Sequence, residues 1–158
     1  MKMAAPLEVG ICCTDLARLK TFYVEQLAFR EISVIDVPPG KSAATGLTDG
    51  GYRVLRLQAP WGERLKLLQP AQAPAPRPPL ETILARAGTT YLTFIVEDLQ
   101  RVLDGLRESG VELLSGPRKV EVRAGVFLVF AKDPEGNVLE FVEYADLRAY
   151  RPDLAGRP

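Results

Sequence analysis

At 158 residues, 47% of them apolar and 25% charged, the chain has room for one domain or two closely packed halves around a sizeable core. Twenty basic residues balance twenty acidic ones and are spread along the chain, which leaves no electrostatic footprint for nucleic acid or an acidic membrane surface. There is no histidine, so Ser-His and Cys-His nucleophilic machinery, histidine general bases and the commonest transition-metal ligand are excluded.

The opening MKMAAPLEV lacks the apolar core of a signal peptide, and no later apolar run approaches the roughly 20 residues of a spanning helix, so the expectation is a cytoplasmic protein without membrane association. Residues 7–13 form an apolar run bounded by Pro6 and Thr14-Asp15, the mark of a strand. Within it Cys12 and Cys13 point to opposite faces, which disfavours a bridge between them and suits two small buried residues. Thr14 or Asp15 then caps a helix whose Leu16, Leu19, Phe22, Tyr23 and Leu27 make one buried stripe. A second strand is expected over 31–37, followed by a turn-rich loop through Gly40 to Gly51 that reads as a flap. That loop lacks the spacing of a phosphate-binding loop. Residues 52–58 and 64–69 alternate around Ala59-Pro60-Trp61-Gly62, a hairpin signal with Trp61 at its rim. Arg53 and Arg56 fall on opposite faces of the first of these strands, and parity does not say which is which; solvent exposure is expected for either.

Residues 70–79 hold five prolines and three alanines and read as an extended linker; a short helix is expected over 80–87, ending at Gly88. A strand over 91–96 follows, then a helix opening at Asp98 with Leu99, Val102, Leu103 and Leu106 on one side and Gly110 past its end. Strands are expected at 111–114, 120–123, 126–131 and 138–144, with Asp133-Pro134-Glu135-Gly136-Asn137 as the tight turn before the last. Residues 145–158 read as a peripheral tail or a surface for a partner subunit.

The second half repeats the first. Laid so that Tyr91 falls on Glu8, TYLTFIVEDL matches EVGICCTDL: an apolar strand, a capping Asp, then Leu at the head of a helix. The expectation is an α+β chain of two βαβββ modules, 1–69 and 89–144, joined by the linker 70–88 and followed by the tail 145–158.

Two βαβββ modules, helices opening with Asp-Leu, and DPEGNVLE before the end together resemble the vicinal oxygen chelate superfamily, the group of glyoxalase I, bleomycin-resistance proteins and extradiol dioxygenases. The resemblance spans residues 7–144. It implies modules that curl into a cup, and a metal held on the first and last strands of each module by His, Glu or Gln, His and Glu. The matching positions here are Glu8, Lys66, Tyr91 and Glu140. It also implies a small-molecule ligand and a homodimer.

Strand alternation places Glu8, Gly10 and Cys12 on one face, together with Tyr91, Thr93, Ile95, Lys66, Leu68, Val138, Glu140 and Val142. Of these, Cys12, Thr93, Leu68 and Val138, with Trp61, are the expected substrate-binding residues. Lys66 supplies the positive charge that a divalent ion supplies in relatives. A protonated lysine offers no lone pair and repels a cation, so no cofactor is expected and a divalent metal is disfavoured. The four groups suit either a structural salt bridge or proton transfer, with a glutamate as base, Tyr91 as donor and Lys66 at a developing oxyanion. The expected function is a metal-independent isomerase, lyase or cyclase acting on a carbonyl compound. The alternatives are a drug-binding protein without catalysis, and a metal-dependent lyase or dioxygenase with unusual ligands.

Overall fold

The structure, a computed structural model, describes residues 3–76, 78 and 82–154. The chain divides into two compact units, Met1–Pro79 and Leu80–Pro158, and the division falls at the end of the proline-rich stretch.

In the first unit β1 (Glu8–Cys12) leads into α1 (Leu16–Leu27), then β2 (Arg30–Val37), α2 (Pro39–Ala44), β3 (Tyr52–Gln58) and β4 (Arg64–Pro70). The sheet order is β1-β4-β3-β2; β1 runs parallel to β4 and the other pairs are antiparallel. A parallel pair needs a long crossover, and everything between β1 and β4 serves as one. Asp15 caps α1 by accepting the Arg18 N–H at 3.0 Å. The helix closes at Ala28, whose φ of 55° is left-handed without being glycine, with Phe29 N–H donating to the Tyr23 carbonyl. Leu19, Phe22 and Tyr23 of α1 are buried, and the helix lies against β4. The buried Ile11, Cys13, Leu55, Leu57, Leu65 and Leu67 form the apolar face of the sheet. The turn from β3 to β4 closes through Ala59 N–H donating to the Glu63 carbonyl at 2.9 Å. The expected flap contains the short helix α2, started by Pro39 and tied down where the buried Ser42 hydroxyl donates to the Thr48 carbonyl at 2.6 Å.

The second unit repeats the topology: β5 (Tyr91–Ile95), α3 (Leu99–Glu108), β6 (Val120–Arg123), β7 (Val126–Lys132) and β8 (Val138–Tyr144) in the order β5-β8-β7-β6, with β5 parallel to β8. Asp98 caps α3 through the Arg101 N–H, and the Glu143 carboxylate accepts the neighbouring Leu99 N–H at 2.8 Å. Two negative groups thus meet the positive end of the helix dipole. The DPEGN turn is wound around Asp133, 4% exposed, whose carboxylate accepts from the N–H groups of Glu135 and Asn137 and from the Asn137 amide.

Two expectations are corrected. Residues 111–114 are not a strand: only Leu113 bridges to Ala131, because Ser115 turns the chain away and its hydroxyl takes the Phe130 N–H. Over 82–88 the chain makes turns and bends rather than a helix, and Leu84 is exposed, so no apolar stripe holds a helix there; residues 80 and 81 lie outside the described residues. Within the tail, residues 147–150 form α4 (Leu147–Tyr150) and Tyr150 stacks on Tyr144 at 4.0 Å. No helix among the described residues is long and apolar enough to cross a membrane.

Two substitutions test this packing in opposite directions by thermal unfolding. Leu67→Ala, at a fully buried site, is expected to destabilise by about 2–5 kcal/mol. Ala28→Gly removes the left-handed penalty and is expected to stabilise by about 0.5–1 kcal/mol after its extra chain entropy is counted.

Candidate functional site

Residues opposed across a ladder share a face, so strand register assigns each side chain of the first sheet. One row carries Glu8, Arg64, Gln58 and Arg30; the next carries Gly10, Lys66, Arg56 and Ser33. Two further rows carry Cys12, Leu68, Val54 and Ile35, then Pro70, Tyr52 and Val37. This is the face turned away from the buried leucines. Its first half is ionic and its second half is apolar.

Within the ionic half, Lys66 Nζ stands 3.9 Å from Glu8 Oε2 and Arg64 Nη1 stands 3.6 Å from Glu8 Oε1. Arg64 also donates to Gln58 at 3.1 Å, and Arg56 reaches Ser33 Oγ at 3.4 Å. The expected Glu8–Lys66 pairing is present, in company: Glu8 has two cationic neighbours. Arg64 was absent from the expected set although it lies two residues before Lys66 and so shares its parity. Arg56 was expected in solvent; it is half-buried on the Lys66 face, while Arg53 is the exposed one, paired with Asp36 on the other side at 2.7 Å. That Arg53 guanidinium, by its hydrogen bonds, holds the Asp36 carboxyl below the ordinary carboxylate range. In the apolar half Leu68 leans over Gly10, since a Cβ there would lie 3.1 Å from Leu68 Cδ1. Cys12 and Ile35 are exposed and Val54 is buried. Trp61 is exposed in its turn.

The second sheet is assigned in the same way. Tyr91 opposes Val138, Thr93 opposes Glu140, and Glu140 opposes Phe130. Thr93 Oγ1 donates to Glu140 Oε2 at 2.6 Å, and the Tyr91 ring meets Phe130 edge-on at 5.4 Å. Val138 is buried and Tyr91 exposed. Among the described residues Glu140 makes no ion pair; its fixed partner is the threonine hydroxyl. Four residues further along β8, Tyr144 lies on this face beneath Tyr150. Burial, helped by Tyr150, pushes the Tyr144 phenol up to about 12.

A shallow cleft of about 420 Å³ opens at the far end of the first sheet between Val37, Gly51, Tyr52, Gln69 and Pro70. Its charged pair, Asp36 and Arg53, is mutually satisfied, so the cleft offers a ligand less than the ionic rows do.

The model of the Glyoxalase/Bleomycin resistance protein/Dioxygenase superfamily matches residues 6–141, and the chain belongs to that superfamily. No curated protein matches it. Among solved structures it is similar to a glyoxalase family protein from Bacillus cereus, with 20% identity over 92% of this chain and 97% of that one and a TM-score of 0.77. It is also similar to the trypanothione-dependent glyoxalase I of Leishmania major, with 20% identity, 94% of each chain and a TM-score of 0.67. A glyoxalase family protein from Enterococcus faecalis aligns with 24% identity over 90% of this chain and 98% of that one, at a TM-score of 0.64. At these identities the likeness is one of fold.

The Tyr144 environment gives a titration test. An acid whose pKa is raised on folding loses its stabilising contribution as pH climbs from its ordinary value of 10.0 towards about 12. Tyrosinate absorbance is expected to show a late step near that upper value. Tyr150→Phe is expected to move the step down, and an unshifted step would show that the stacked phenol has no part in it.

Proposed function

We propose that the protein is a metal-independent acid–base enzyme, an isomerase, lyase or cyclase acting on a small carbonyl compound. The observation that carries this reading is a carboxylate and an ammonium held 3.9 Å apart, Glu8 and Lys66, on the half-open face of the first sheet. In this scheme Glu8 removes a proton from the carbon beside the carbonyl. Negative charge then grows on the carbonyl oxygen, where Lys66 stabilises it. Returning the proton to another carbon completes an isomerisation, and expulsion of a substituent completes an elimination. In the second unit Glu140, oriented by Thr93, is the corresponding base and Tyr91 the corresponding donor.

The donor set does not fit a divalent ion. Protonated Lys66 has no lone pair, and Glu8 already faces two cations within 4 Å, which oppose a third by Coulomb repulsion. Among the described residues no three His, Cys, Asp or Glu side chains gather into a possible metal cluster.

The test is deuterium exchange into the position beside the carbonyl in a panel of 2-oxo acids, followed by proton NMR. Glu8→Gln and Glu140→Gln are expected to slow exchange by about a hundredfold or more, and Lys66→Ala by about a hundredfold. Ligand binding without exchange by the unmodified protein would remove the enzyme in favour of a sequestering binder; unchanged exchange in Glu140→Gln and Lys66→Ala would remove these residues as its catalytic groups, and lost exchange with retained binding would remove the binder. A stoichiometric ion in the purified protein, or activation by added Mn, Ni, Fe or Zn, would overturn the metal-independent assignment.

A further inference from the structure

The charge pattern of the first sheet goes beyond a reaction type to the kind of molecule that fits it. Arg56, Arg64 and Lys66 occupy adjacent positions on β3 and β4, and Glu8 is the one carboxylate on their rows. Among the described residues some cations are closely matched, Arg53 with Asp36, Lys132 with Glu112 and Arg151 with Asp153 each at 2.7 Å, while Arg107 with Asp104 and Lys119 with Glu143 stand at 3.8 Å. Here the contacts to Glu8 are 3.6 and 3.9 Å, outside good hydrogen-bond length. Among the described residues Arg56 makes no ion pair, and its contact is a long one to a serine hydroxyl. Holding half-buried cations beside one another without matching anions costs electrostatic energy that an incoming anion relieves.

Two residues further along each strand, about 7 Å away, the same face becomes Cys12, Leu68, Val54 and Ile35. Exposed Ile35 and Cys12 and the Leu68 side chain over Gly10 form an apolar floor beside the cations. Charge and apolar surface are therefore segregated along the strand direction, not mixed as on an ordinary solvated face.

We infer that this face binds an amphipathic organic acid, its carboxylate received by Arg56, Lys66 and Arg64 and its apolar body laid along Leu68, Cys12 and Ile35. The inference rests on the proposed function in taking this face as the substrate side, and it names the substrate class: carbonyl compounds that also carry a carboxylate and an alkyl or aryl body. The planar guanidinium of Arg56 matches a carboxylate in geometry as well as charge. Glu8 competes for the same cations, so its carboxylate weakens the acid while serving as the base.

Calorimetric titration with octanoate, octanamide and octyl phosphate tests this without requiring turnover. Octanoate is expected to saturate one site and to bind about tenfold or more tightly than octanamide. Arg56→Gln is expected to lower octanoate affinity by about tenfold with octanamide unchanged, Arg56→Lys to retain most of it, and Glu8→Gln to raise it. Circular dichroism melts of the three variants verify folding, and the Glu8→Gln gain cannot arise from a misfolded chain. Equal binding of acid and amide, or no saturable octanoate binding, would overturn the inference. Tighter binding of octyl phosphate than octanoate would replace the carboxylate with a phosphate ester. Failed exchange with the acid preference intact would remove the enzyme and leave this site; intact exchange without the preference would do the reverse.

Discussion

Everything on the candidate face depends on the parallel pairing of the first and last strands of each unit, β1 with β4 and β5 with β8. That pairing fixes side-chain parity across the sheet. Once Ile11, Leu65 and Leu67 are committed to the buried side, Glu8, Arg64 and Lys66 have nowhere to go but the other. A slip of one residue would bury three charges and expose the leucines, so the apolar face acts as the clamp that holds the ionic one in place.

The two units keep the same topology and diverge in what they present. The first offers a carboxylate with two cations within 4 Å and Arg56 on the next row; the second offers a carboxylate held by a threonine hydroxyl, beside a tyrosine packed on a phenylalanine. Membership of a superfamily with many chemistries does not choose among them. The proposed function makes that choice on side-chain chemistry: protonated amines and guanidiniums cannot ligate a cation and are suited to stabilise oxyanions.

Much of this was legible beforehand. The repeat, the capping Asp15 and Asp98, the buried helix stripe and the Asp133 turn each follow from local rules that tertiary context did not override. The pairing of Glu8 with Lys66 was legible from parity together with the resemblance. Residues 111–114 misled because β-propensity marks a segment able to pair but not how much of a partner edge is left for it; β6 takes one part of the outer edge of β7. Residues 82–87 misled because helix formers need a surface to cover.

Alternation and capping residues, properties of neighbours in the chain, by themselves marked the strands and helices of the two units and which residues of a strand share a face, Glu8 with Gly10 in the first sheet and Tyr91 with Thr93 in the second. Only the tertiary structure decided that Arg56 and not Arg53 joins Lys66, and that Arg64 reaches Glu8. The reason is that register between β3 and β4 is set by the closed turn from Ala59 to Glu63 and by the packing of the leucines beneath. Alternation says that two residues of one strand face apart; it takes the partner strand to say which of them faces the site.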